Sequence, residues 1–220
     1  MKRLLAAVDF SPGSLAAFEY ATLFGEAFGS TVDALHVWQT NTVTRVTGAR
    51  LEAKEALREF VARSAVHRPA ALRRRVEYGD PYMTILGLSK MSKHNAIFVG
   101  ARGKSDAESR RLGHVPLSLL PTAPCAVVVV PLAGSERATA MKAPRRVYVA
   151  NSDAPHLSGF AAELCTAFAA SMKSLEPDTR VDPADVVVTD YAALEKGIGA
   201  ENAPRLAPCP IIVVPLLLTA

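Results

Sequence analysis

Apolar residues along the chain gather into short continuous runs, separated by longer stretches in which they recur at helical spacing. The first run, RLLAAVD at 3–9, has no alternation and closes on an acid, as expected of a strand buried on both faces. Ser11 and Pro12 then form an N-cap and first-turn pair, and Leu15, Phe18, Thr22 and Glu26 carry a helix to Phe28. TVDALHV at 31–37 predicts a second strand, and the polar, Thr-rich residues 38–47 a long loop. Residues 49–66 predict a helix, with Leu51, Ala53, Leu57, Phe60 and Val61 on one side. LRRRVEYG at 72–79 predicts a third strand, polar enough to lie at an edge. Asp80-Pro81 opens another helix running to Lys93. AIFVG at 96–100 and CAVVVVP at 125–131 predict the fourth and fifth strands.

Strands alternating with helices imply right-handed crossovers and a parallel sheet covered on both faces. In such α/β sheets ligands sit beyond the carboxyl ends of the strands, where the strand order reverses. Asp9, Val37 and Gly100 all fall at such ends. Half the residues are hydrophobic and 21% charged, enough for a packed core and against disorder.

The pattern repeats itself in part. LLPTAPCAVVVVPLA at 119–133 resembles RLAPCPIIVVPLL at 205–217, with Cys125 and Cys209 84 residues apart. KRLLAAVDFSPGSLAAF at 2–18 matches RRVYVANSDAPHLSGF at 145–160 more loosely, at an offset of 143. DVVVTD at 185–190 stands where a fourth strand belongs, with Thr189 set against Gly100 and Gly197 against Gly113. Phe28 to Ala96 is 68 residues, whereas Met172 to Asp185 is 13. That gap predicts a second copy lacking strands 2 and 3 and keeping 1, 4 and 5. A three-stranded remnant is marginal alone, so it is expected to pack on the first copy. The expected division is 1–133, a linker at 134–144, and 145–220.

Charge changes this picture little. The net charge is +4, with 18 basic against 12 acidic residues in 1–141 and 7 against 9 in 142–220. Short clusters such as Arg73–Arg75 and Arg110–Arg111 read as solvated basic faces, so no nucleic-acid partner is expected. Three cysteines without CxxC spacing read as reduced, buried thiols. The apolar stretch before Asp9 is too short for a signal peptide, and IIVVPLLL too short for the ~20 residues that span a bilayer. A cytoplasmic chain without membrane insertion is the expectation.

Candidate chemistry lies in FVGARGKSDAESRRLGHV at 98–115. Its glycines, Gly100, Gly103 and Gly113, follow the pattern G-x2-G-x9-G after strand 4. The first two would let backbone N–H groups face a phosphate without a Cβ in the way. The third would admit a phosphate to a helix N-terminus. Arg102 and Lys104 would add positive charge.

VDFS (8–11), GDPYMTIL (79–86), FVGARG (98–103) and APCAVVVV (123–130), in this order and spacing, resemble the universal stress protein family. The resemblance covers 1–132, with a degraded second copy over 145–216. It implies a flavodoxin-like, or adenine nucleotide alpha hydrolase-like, sheet of order 3-2-1-4-5, the second copy contributing strands 1-4-5. In one branch of the family it also implies ATP binding. Carried over by position, Asp9 and the Val37 backbone would lie by the adenosine and Gly100 near the ribose. Gly103, Gly113 and His114 would hold the phosphates, and Val115 would belong to the same nucleotide site. His114 departs from the family's Ser or Thr, replacing a small hydroxyl donor with a bulkier imidazole donor.

The expected ligand is therefore ATP or ADP, with Mg2+ as a possible companion, bound once, for a regulatory or stress-response role. The alternative is an interaction module of the same fold that binds a client protein or transporter. No Walker lysine-serine pair, nucleophile elbow or metal cluster marks an enzyme, and slow ATP hydrolysis is the most that is expected. Since family members commonly dimerise through their fifth strands, 125–131 and 210–215 are expected to pair within the chain as a pseudo-dimer, with or without a further homodimer. Tyr82 is expected to pack, and His36 to be a core or rim residue.

Overall fold

The computed structural model describes residues 1–39, 46–64, 67–103, 112–131, 142–176, 178–198 and 209–216. Lys104, Arg110, Arg111 and most of the expected linker lie outside the described residues.

The first part alternates strand and helix: β1 (Arg3–Ala7), α1 (Pro12–Ala27), β2 (Thr31–Trp38), α2 (Val46–Ser64), β3 (Ala71–Tyr78), α3 (Pro81–Met91), β4 (Ala96–Gly100), α4 (His114–Leu119) and β5 (Ala126–Val130). Then come β6 (Arg146–Val149), α5 (Pro155–Phe168), β7 (Ser171–Ser174), β8 (Val186–Thr189), α6 (Tyr191–Ile198) and β9 (Ile211–Val213). Residue chemistry sets the starts of the helices. The Ser11 hydroxyl accepts from the Ser14 N–H ahead of Pro12, and Asp80 does the same for Met83 ahead of Pro81.

The strands form one sheet of order β3-β2-β1-β4-β5-β9-β8-β6-β7. The first five give the order 3-2-1-4-5, with the polar β3 at the edge. Every described pairing is parallel except β5 with β9, where Val127, Val128 and Val129 lie opposite Val213, Ile212 and Ile211. Strand β5 is buried along its whole length. Apolar cores cover both faces. One joins Phe18, Phe24, Phe98 and Val128 to Leu157, Phe160 and Ile212, and the other joins Leu35, Ile97 and Val127 to Val187 and Ile211.

The last four strands differ from expectation in one element. A second strand, β7, survives and pairs in parallel with β6 at the far edge of the sheet. The remnant is thus 1-2-4-5 in type rather than 1-4-5, and the shortening removes one strand with the two helices around it. After α5 the chain turns through Ala169, whose φ is +52, directly into SMKS. All four residues of β7 are exposed, so backbone hydrogen bonding to β6 makes this strand without an apolar run.

Candidate functional site

At the carboxyl ends of β1, β2 and β4 lies a cleft of about 200 Å³. Its walls come from the end of β1 (Ala7, Val8, Asp9), from Val37 on β2, and from Val99, Gly100, Arg102 and Gly103 in and after β4. The first turn of α1 adds Ser14, α3 adds Pro81 and Ile85, and the turn into α4 adds Gly113, His114, Val115 and Pro116. Every site residue expected from the sequence is therefore in one place, apart from Lys104, which lies outside the described residues.

The strand-1 exit is tightly folded. The Ser11 N–H donates to Asp9 Oδ1 at 3.0 Å, and the Ser11 hydroxyl donates to the same oxygen. Phe10, between them, has a φ of +63, a conformation costing about 1–3 kcal/mol in a non-glycine residue. Its ring offsets this by packing against His36, centroids 4.3 Å apart, and Phe60 at 5.7 Å. His36 in turn donates from Nδ1 to the Val8 carbonyl at 2.7 Å, so it braces the turn from the rim. Tyr82 is partly buried and donates its hydroxyl to Thr122 Oγ1 at 3.2 Å.

The glycines have internal neighbours that the spacing did not reveal. A Cβ on Gly100 would stand 2.6 Å from the Gly13 carbonyl carbon and 2.8 Å from its oxygen. A Cβ on Gly13 would in turn meet the Arg102 carbonyl oxygen at 2.5 Å. The first turn of α1 thus lies backbone to backbone on the end of β4, and Gly13 is a site-forming residue that sequence reasoning missed. A Cβ on Gly103 would stand 2.6 Å from Asp9 Oδ2. Gly113 is the N-cap of α4, without a side-chain cap, and its N–H donates to the Ala101 carbonyl at 2.9 Å.

This packing predicts that Gly100→Ala destabilises the ligand-free protein by about 1–3 kcal/mol, the usual cost of overpacking. Denaturant unfolding measures it, and an unchanged midpoint would mean that the close approach to Gly13 is not a constraint on the fold.

The second half shows what happens when the glycine pair is absent. Leu4 pairs with Ala96, and Val147 pairs with Val186; four residues further on, Gly100 corresponds to Asp190. The strand register therefore sets Asp190, rather than Thr189, at the Gly100 position. Pro12 and Pro155 both open their helices, so Gly13 corresponds to His156. His156 Nε2 lies 3.9 Å from Asp190 Oδ2, with the two side chains 8% and 13% exposed. Two side chains stand where the first half has bare backbone.

Both Cys125 and Cys209 are buried, and burial pushes each thiol up to about 12; for Cys209 the nearby carboxylate of Asp185 adds to this. Neither is a thiolate at neutral pH. No three His, Cys, Asp or Glu residues among those described are grouped to hold a metal ion. Asp9 is the one carboxylate on the described wall of the cleft, so Mg2+ there would depend on ligands brought by the nucleotide.

Comparison with known proteins bears directly on this arrangement. The model of the Universal stress protein family matches residues 1–131. The chain belongs to the universal stress protein family. Among solved structures, a universal stress protein from Archaeoglobus fulgidus superposes over nearly all of both chains. It covers 97% of this chain and 96% of its own, with a TM-score of 0.69 and 16% identity. Universal stress protein UspA from Lactobacillus plantarum is 24% identical, covering 58% of this chain and 96% of its own at a TM-score of 0.52. A universal stress protein solved in complex with cAMP is 21% identical, covering 59% and 96% at 0.50. At these identities the likenesses concern the fold. A search of curated proteins found no match.

Proposed function

We propose that this universal stress protein binds an adenine nucleotide once, in the cleft at the ends of β1, β2 and β4, and serves a regulatory or stress-response role in the cytoplasm. The observation that carries this reading is the convergence of Asp9, Val37, Gly100, Arg102, Gly103, Gly113, His114 and Val115 on one cleft. The neighbour solved with cAMP supports an adenine ligand. In this reading Val37 and Ile85 supply an apolar wall for a base, Asp9 accepts from ribose hydroxyls, and His114 donates to phosphate. ATP or ADP, with Mg2+ on its phosphates, is the form the family resemblance implies.

The reading extends to organisation. We take 1–133 as the nucleotide domain, 134–144 as linker and 145–220 as a degenerate second domain that does not bind nucleotide. In support, His156 and Asp190 stand at the two glycine positions, and β9 lies on β5. The second domain then acts as a built-in partner for an edge prone to association. No helix among the described residues is long and apolar enough to cross a membrane.

Nucleotide-dependent stabilisation of the full chain tests the proposal. At a ligand concentration of 100 Kd, binding adds about 2.7 kcal/mol, which for a chain of this size raises the melting midpoint by about 5–10 °C. No shift with adenosine, AMP, ADP or ATP would favour a client-binding module instead.

A further inference from the structure

We infer that the outer face of α3 is a docking surface for a second copy of this chain, the two α3 helices crossing antiparallel at Gly87 in a two-fold dimer. On this face Met83, Gly87 and Met91 recur every fourth residue, so they lie one above the next on the same side of the helix. Met83 is 62% exposed and Met91 83%. Between them, a Cβ on Gly87 would meet no atom within 4 Å. Two exposed thioether side chains thus flank an open notch, one turn away on either side. The other side of α3 is already committed: Ile85 and Ser89 are buried, and Pro81 and Ile85 line the cleft. Apolar side chains grouped on an exposed helix face mark an interaction surface, and a notch between ridges is what a second helix packs into.

Charge at the two ends of the helix selects the partner. Asp80, the exposed N-cap, stands at one end, and the exposed Lys90 and Lys93 stand at the other. A two-fold axis at Gly87 sets Met83 of each copy against Met91 of the other and brings Asp80 beside Lys93, a self-complementary pattern. Parallel helices would instead set like charges together. Lys93 also holds a φ of +50 just past the helix cap, where glycine is the usual residue. A positive side chain is therefore kept at this end in a conformation that suits glycine better. The sheet edges offer a second copy little: β5 is taken by β9, β3 carries Arg73, Arg74 and Arg75, and the four-residue β7 carries Lys173. One 11-residue helix per copy buries less than the ~1,200–2,000 Å² of a standard interface, so the dimer is a weak one.

Sedimentation velocity of the full chain from about 1 to 300 µM, without nucleotide, tests the inference, with an expected dissociation constant of about 10–100 µM. Gly87→Gln fills the notch with a side chain that the free helix has room for. It is expected to weaken the dimer at least tenfold while leaving the melting midpoint of the dilute chain unchanged or raised. Lys93→Gly relieves the positive φ and removes both copies of the charge contact. It is expected to weaken the dimer about three- to tenfold, again with no fall in the midpoint. A chain still monomeric at the top of the concentration series would overturn the inference and assign the α3 face to a different protein. A dimer unmoved by Gly87→Gln, or by Lys93→Gly, would overturn it by placing the contact elsewhere.

Discussion

An Asp33→Ala chain is expected to lose about 3–5 kcal/mol of stability, the cost of stranding buried charges by removing their partner. Asp33 lies on β2 between Leu5 of β1 and Arg73 of β3, and its side chain is fully buried. Arg3 donates from Nη2 to Oδ2 at 2.8 Å, His94 donates from Nε2 to the same oxygen at 2.8 Å, and Arg75 stands 3.7 Å from Oδ1. The carboxylate therefore ties β1, β2, β3 and the turn before β4 together at the amino ends of the strands, opposite the cleft. Without it, the Arg3 and Arg75 guanidinium groups lose the carboxylate they share. For a chain of this length each kcal/mol moves the melting midpoint by about 2–4 °C, so scanning calorimetry or denaturant unfolding reads the effect easily. A loss below about 1 kcal/mol would mean that water reaches the cluster and screens it.

The same cluster sets a pH dependence. Burial raises the Asp33 carboxyl, but hydrogen bonds from His94 and Arg3 together with the Arg75 charge outweigh it and hold the group below the usual carboxylate value. Burial dominates at His94 and pushes the imidazole below its usual 6.5, against the pull of Asp33. Both groups thus take up protons more readily in the unfolded chain, and stability rises with pH across the windows in which they titrate. His94 contributes stability that is complete above the unfolded value of 6.5 and is lost as pH falls through its lowered folded value. The Asp33 contribution is lost at still lower pH, below its unfolded value of 3.8. Unfolding midpoints are expected to be lower at pH 5 than at pH 7.5. Exchanging His94 for Gln is expected to shrink that difference, and a difference equal to that of the wild type would assign it to other groups.

The elements legible in the sequence share one property: their pattern is local. Apolar runs without alternation marked β1, β4 and β5 to within two residues, Ser11-Pro12 and Asp80-Pro81 marked helix starts, and the polar β3 announced its edge position. What escaped is non-local. SMKS carries no apolar signal, because β7 is exposed on both faces and depends on the backbone of β6. Asp33 reads as one polar position in TVDALHV, and its partner His94 lies 61 residues away. The two halves align with different offsets at their first and fourth strands, and a one-residue slip there put Thr189 in place of Asp190. In the cleft the residue set was legible, but the reason for each glycine was not. Glycine spacing shows that something approaches closely; at Gly100 the visitor is Gly13, and at Gly103 it is Asp9.

Phe24→Ala is expected to cost about 3–5 kcal/mol, the usual range for deleting a buried aromatic ring, and to loosen the hold of the second half on the first. Phe24 on α1 is completely buried. Its ring meets Tyr20 at 4.9 Å and Phe98 of β4 at 5.2 Å within the first half, and Phe168 at the end of α5 at 4.9 Å. Phe28 reaches the same Phe168 ring at 6.1 Å. These contacts make Phe168 the aromatic link from α5 back to α1, beside the short junction of β5 with β9. Phe168 is only partly buried, so its own truncation is expected to cost less. Combining the two substitutions separates packing within the first half from packing between the halves. Adjacent aromatic rings couple by about 0.5–1.5 kcal/mol, so the double variant is expected to lose less than the sum of the single losses. Strict additivity in denaturant unfolding would show that the Phe24–Phe168 ring contact adds nothing, leaving the β5–β9 pairing and the shared apolar cores to hold the two halves together.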